Sequence, residues 1–231
     1  MDNRPASQFD IQEQISSVVN TMIAVITNPA SFYKQMSRTG GFVDPIIFMI
    51  AMGIIGAVLQ IPLSFFQLGM AGTFGMALAY IIIMPIAVII GGFVGGAILM
   101  LIWKVMGSRE NYEACFRCFA YATAISPITN LLNVIPYLGP IIGLAWMTYL
   151  LVTASVEVHE LQPKASWIVF GAIAAILALM SLSAQYSARR LATEMKGIGK
   201  TFGDIDKMSP EEAGRKMGEF LKGMEKGAGK Q

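Results

Sequence analysis

The chain alternates long runs without a single charged residue and short polar borders, so its pattern predicts helices that cross a membrane. Between Pro45 and Ser187, roughly 140 residues, charge is confined to one cluster (Lys104, Arg109, Glu110, Glu113, Arg117) and a second (Glu157, Glu160 and Lys164 beside His159). A soluble domain of this size carries about a quarter charged residues over its whole surface. Here the uncharged runs match the roughly 20 residues that a helix needs to cross a bilayer. The runs place spans near 45–68, 74–103, 114–134, 137–156 and 165–186, with an uncharged loop GMAGT between the first two. The second contains Pro85 and is longer than a bilayer requires. The third is the least apolar, and the segment Asn133 to Pro140 is too short for anything but an antiparallel hairpin.

Flanking segments carry a different period. Residues 8–27 put Phe9, Ile11, Ile15, Val18, Val19, Met22, Ile23 and Ile26 near one helical face, with Gln12, Gln14, Ser16 and Asn20 largely opposite, which predicts an amphipathic helix too polar to span. Asn28-Pro29 then restarts a helix, Asn as cap and Pro at its first position, and that short segment is expected in the headgroup plane. After Arg189-Arg190 a Gly-punctuated linker is expected. Ser209-Pro210-Glu211-Glu212 then opens a helix whose narrow stripe includes Phe220 and Leu221. The fold class expected is therefore all-α: a polytopic bundle of five transmembrane helices with amphipathic flanking helices. Its parts are an N-terminal arm (1–43), the bundle (44–188) and a basic tail (189–231).

Composition agrees with this class. Of the 231 residues 14% are charged and 55% hydrophobic, and the mean hydropathy is +0.58. The net charge of +2 calls for no polyanion, so no nucleic acid is expected as partner. Ten of the 17 Lys and Arg follow Ser187. Retention of Lys and Arg on the cytoplasmic side orients the bundle, because the loops after the second and fourth spans are basic and those after the first and third are not. The N-terminus is then cytoplasmic. Five crossings would export the basic tail, against the same rule.

The chemistry-bearing residues each have a plainer structural reading. Gly91, Gly92, Gly95 and Gly96 make two overlapping G-x-x-x-G pairs, a candidate interface between copies or a close contact inside the chain. Cys115, Cys118 and His159 fall at the same ends of their helices and are weak candidates for a metal site. Glu157 or Glu160 could join them, but no second pair of ligands exists nearby in sequence, and small packing residues and a membrane-boundary His explain them as well. Two cysteines three apart make no disulfide framework. Ser126, Thr129, Asn130 and Asn133, with the chain's prolines, could line a polar path, yet no span carries a mid-membrane Asp, Glu or Lys for coupled transport. Hydrogen bonds between helices account for them too. Arg117 is expected to snorkel or to pair with Glu113. Gly199-Lys200-Thr201 lacks the leading Gly of a phosphate loop, His159-Glu160 is not part of H-E-x-x-H, and no G-x-S-x-G occurs, so no enzyme and no cofactor is expected.

Asn28-Pro29-x-x-Phe32-Tyr33, the Gly-rich second span, Tyr121-Ala122, Pro127, Ile135-Pro136-Tyr137-Leu138-Gly139, Trp146 and Lys164-Ala165 occur in an order that resembles the Yip domain family of five-helix membrane proteins, and its bacterial branch in particular. The resemblance covers about residues 25–187. It implies structural roles for Asn28, Pro29, Pro127, Pro136, Gly139 and Lys164, and a multi-pass protein of a bacterial inner membrane. Similar eukaryotic proteins bind Rab-type GTPases and one another in vesicle traffic. The long N-terminal domain of those proteins has no counterpart here, so GTPase binding is not carried over. The function expected is non-enzymatic, through association with membrane lipids and with other membrane proteins or further copies. A small transporter, channel or lipid-moving protein is the alternative.

Overall fold

The computed structural model describes residues 11–68, 70–133, 135, 137–205, 211, 212, 214, 215 and 218, and leaves the side chains of 11–14, 60–85, 192 and 194–205 undescribed. Among the described residues it is entirely helical: α1 (Ile11–Thr27), α2 (Pro29–Gln35), α3 (Val43–Leu68), α4 (Met70–Val105), α5 (Tyr112–Ala122), a 3-10 turn (Thr123–Ile125), α6 (Ser126–Leu132), α7 (Leu138–Glu157) and α8 (Pro163–Ile205). Among the described residues three stretches are long and apolar enough to cross a membrane, Ile86–Val105, Leu138–Glu157 and Pro163–Leu191; the bent pair Ile15–Thr27 and Pro29–Gln35 passes the same test together, and Val43–Leu59 is a shorter apolar helix. The helices divide into two units, 1–179 and 180–231.

In the first unit α3 packs on α4, α4 on α5, and α6 on both α3 and α7. Glycines make the closest of these contacts possible. Gly92 lies under the Met49 side chain, Gly95 under the Phe119 ring at 2.6 Å, and Gly96 against the Cα of Phe116 at 3.1 Å, each measured from where a Cβ would stand. Gly91 faces open space. Three of the four glycines are thus taken up inside the chain, and the outward side of α4 carries Ile86, Ile90, Val94, Ile98 and Leu101 instead.

The third apolar run is a helix broken once. The 3-10 turn precedes Pro127, which has no N–H to give and stands near the start of α6. Hydroxyls at a spacing of three cross the break: Thr123 Oγ1 donates to the Ala120 carbonyl at 2.6 Å, Ser126 Oγ to Thr123 at 2.6 Å and Thr129 Oγ1 to Ser126 at 3.0 Å. Asn130 packs onto the Cα of Gly56, and Thr129 onto that of Gly143. Asn133 is exposed and closes α6, its N–H reaching the Thr129 carbonyl at 2.9 Å.

The hairpin expected between Asn133 and Pro140 is present. α6 ends at Leu132 and α7 begins at Leu138 after Tyr137, whose φ of 66° is left-handed. Gly139 follows, with its Cα pressed on the Leu132 backbone. Pro136 and Val134 lie outside the described residues.

Two expectations change. The loop GMAGT gives way to helix, since α4 begins at Met70, and Gly69 lies outside the described residues. Helix α2, the segment after Asn28-Pro29, turns through 120° from α1 and packs on α7, with Tyr33 1% exposed. The linker expected after Arg190 is helix up to Ile205. Ser209, Phe220 and Leu221 fall outside the described residues.

Candidate functional site

The polar side chains of the first unit converge where α4 and α7 end. Gly107, in a left-handed conformation (φ 102°), closes α4 as its N–H meets the Lys104 carbonyl at 3.0 Å and the Ser108 N–H meets the Trp103 carbonyl at 2.8 Å. This pair of bonds satisfies carbonyls that a helix end otherwise leaves open. α7 ends similarly, with Glu160 left-handed (φ 55°) and the Leu161 N–H on the Ser155 carbonyl at 3.0 Å. The two reversals bring Ser108 and His159 together.

Trp103 is fully buried. Its indole stacks on the His159 ring at 3.9 Å between centroids, and its Nε1–H donates to Ser155 Oγ at 2.7 Å. Ser108 Oγ accepts the Glu110 N–H at 3.2 Å and lies 2.7 Å from His159 Nδ1. The imidazole's other nitrogen is Nε2. That nitrogen is 3.9 Å from Cys118 Sγ, and the Cys118 carbonyl accepts the Tyr33 hydroxyl at 3.3 Å. One network thus ties α2, α4, α5 and the turn between α7 and α8.

The imidazole is neutral. Burial, reinforced by Arg38 and Lys104, lowers its pKa from 6.5 to about 3. In the unfolded chain the group takes up a proton below about pH 6.5, and in the folded one only near pH 3. The contribution of His159 to stability is therefore complete above pH 6.5 and is lost progressively as the pH falls toward 3. Thermal unfolding in detergent followed by circular dichroism is expected to show a midpoint that drops between pH 7 and pH 4, and His159→Gln to flatten that slope. An equal slope in the variant would assign the drop to other groups.

Charged residues ring this network. Arg38 bonds Glu110 at 2.7 Å and approaches Glu160 at 3.6 Å, both at the surface, where such pairs contribute about 0–1 kcal/mol. Glu113 and Arg117 do not pair with each other but grip the backbone of one residue from both sides. Glu113 Oε1 accepts the Gly41 N–H at 2.6 Å, and Arg117 donates to the Gly41 carbonyl at 2.8 Å. Only glycine suits that loop, since Gly40 and Gly41 have φ of 123° and 84°. Arg117 is 6% exposed, and its Nε has no partner among the described residues.

Chemically, the Ser108–His159 contact has the distance of a nucleophile and its base, but not the rest of that arrangement. The imidazole's other nitrogen faces a thiol rather than an orienting carboxylate, and Trp103 covers the ring. Two cavities, of about 290 Å³ under α1 and α2 and about 160 Å³ beside α6 and α7, are lined by neither residue. No three His, Cys, Asp or Glu side chains among the described residues come together as a metal set. Of the three sequence candidates, Cys118 and His159 meet, and Cys115 is buried on the same helix.

Ser108, 51 residues from His159, was not singled out by any motif; a Gly-Ser pair closing an apolar helix was the available signal. Asn28 caps α2, its Oδ1 accepting the Ser31 N–H at 3.3 Å, and Pro29 and Pro127 are buried at the starts of their helices. Lys164 is exposed in the first turn of α8. The family model of the Yip1 domain matches residues 23–185. Neither a curated protein nor a solved structure matches the chain.

Proposed function

Since the chain belongs to the Yip1 domain family of integral membrane proteins, we propose that it acts without catalysis, by organising the bilayer and associating with other membrane proteins. The observation that carries this is the elbow of the N-terminal arm. α2 spans about 10 Å and α1 about 25 Å, and the chain bends by 120° between them. The segment after α2 is fastened at the charged end of the bundle by Arg38. The elbow itself reaches the middle of the broken third span: Phe32 packs on Tyr121 at 5.1 Å, and Ile26 shares a cavity wall with Ile125. Ile15 and Ile23 stay outward, 58% and 48% exposed. An apolar wedge held in one leaflet enlarges that leaflet alone, which is how amphipathic helices couple to curvature.

In this reading the charged end and the N-terminus are cytoplasmic, the side that the loop charges favour. The hydroxyls of the third span take carbonyls of their own helix, which supports packing rather than a solute path. Reconstitution of the full chain into liposomes at rising protein content tests the proposal. Electron cryomicroscopy is expected to show smaller or tubulated vesicles, and Ile15→Asp with Ile23→Asp to abolish this at an unchanged unfolding midpoint. Vesicles of unaltered shape that leak an entrapped solute would overturn it in favour of transport.

A further inference from the structure

The smaller of the two cavities takes no part in the network at the charged end. Its volume of about 160 Å³ is walled by Ile26 of α1, Ile125 of the 3-10 turn, Ile128 and Leu132 of α6, and Ile142 and Trp146 of α7, and the wall is apolar throughout. Thr129 also borders it, but its hydroxyl is spent on the Ser126 carbonyl at 3.0 Å and its methyl group is what meets Gly143. A cavity with polar walls holds water, whereas apolar cavities of about 150 Å³ stay dry and take up small hydrocarbons. Its depth follows from α7, whose 20 residues, Leu138–Glu157, make a helix of about 30 Å, the thickness of the hydrocarbon core. Ile142 and Trp146 stand about 6 and 12 Å along α7 from Leu138, in the half of the bilayer away from the charged end. The mouth opens at that depth: Ile128, Ile142 and Trp146 are 38%, 39% and 37% exposed, while Ile125 at the back is 6% exposed.

We infer that this cavity is a binding site for one acyl chain of a membrane phospholipid, taken from the leaflet opposite the charged end. Depth, wall and width select that occupant. At the depth of the mouth a leaflet offers methylene groups and no headgroup. The wall gives a water molecule or a polar solute nothing to bond. An α-helix of a partner, about 10 Å across with its side chains, is too wide to enter. A slender, flexible chain restores the dispersion contacts that an empty cavity denies its lining. The inference goes beyond the proposed function, since it needs only that α7 spans the bilayer. It touches that function through Ile26 at the elbow, because a seated chain braces the arm against α6 and α7. Labelling reads the site and vesicle radius reads the wedge, so each can fail alone.

Phosphatidylcholine with a diazirine near the end of one acyl chain tests the site in liposomes that hold the full chain. Photolysis and peptide mass spectrometry are expected to find about fivefold more label on Ile125 than on Ile90 or Ile98, because an apolar cavity retains a hydrocarbon that the open helix face does not. The three residues are of one type, and Ile90 and Ile98 on the outward side of α4 are 60% and 52% exposed against 6% for Ile125. Chains that merely surround the protein label in proportion to exposure, and that ranking, or no label on Ile125, would overturn the proposal. Ile142→Trp at the mouth is expected to fill the cavity and clear Ile125 of label, with Ile90, Ile98 and the unfolding midpoint as in the parent. Ile128→Phe fills it from the facing helix and is expected to do the same. Label that persists on Ile125 in both variants would show that it does not arrive through this cavity.

Discussion

Trp103→Ala is expected to lower the unfolding midpoint of the detergent-solubilised chain by about 10 °C, equivalent to roughly 3–5 kcal/mol for emptying a fully buried tryptophan site in a protein of this size. Three losses coincide at one position. The cavity removes packing contacts with Phe170, whose ring lies 6.0 Å away. Ser155 Oγ loses its incoming bond but keeps its own donation to the Leu151 carbonyl at 2.7 Å. His159 loses the ring that shields it, and water then reaches an imidazole whose burial opposes protonation. Trp103→Phe separates these terms: it keeps a ring over His159 and gives up the bond to Ser155, at a cost of about 1 kcal/mol. Circular dichroism at 222 nm is the measurement. A midpoint for the alanine variant indistinguishable from the parent would show that the network at the charged end does not hold the bundle.

The second large effect is expected from the smallest change. A methyl group at Gly139 would fall on the carbonyl of Leu132 and on the N–H of Asn133. Both are backbone atoms, so no side chain can swing aside, and α6 must move away from α7. Gly139→Ala is expected to cost about 3 kcal/mol, the upper end of ordinary overpacking. The control is Gly91→Ala on α4, where a methyl group meets nothing within 4 Å. That variant is expected to be neutral or slightly stabilising, since alanine is the better helix former by about 1 kcal/mol. If both variants unfold alike, close approach at Gly139 is not what closes the hairpin.

These two sites differ in how far the sequence discloses them. Gly139 belongs to the Ile135-Pro136-x-x-Gly139 order that betrays a hairpin, because turn residues act locally and leave a local mark. Apolar runs likewise announce α7 and α8, since the length of a span is set by the bilayer and not by the rest of the fold. The network around His159 leaves no such mark. Ser108, Cys118 and His159 are brought together by the reversal at Gly107 and the packing of α5 on α7, across 41 to 51 residues. The arm was half legible: Asn28-Pro29 marks where α2 starts, but its angle is decided by Tyr33 and Phe32 finding α5. Arg117 and Glu113 satisfy the spacing of a helical ion pair and do something else, because the Gly41 peptide offers each of them a partner. Past Arg190 the glycines suggest a linker, whereas the backbone stays helical to Ile205.

The hydroxyl ladder of the third span bears finally on how the protein is made. Thr123, Ser126 and Thr129 spend their protons on carbonyls three residues back in the same helix, so none waits for a neighbouring helix to arrive. Polar groups that partner within their own segment lower the cost of entering hydrocarbon. These three hydroxyls therefore need no partner from α3 or α7 when the segment enters the bilayer. Removing those hydroxyls would consequently change little in the finished bundle, whereas replacing them with amides that seek partners elsewhere would be felt during biogenesis.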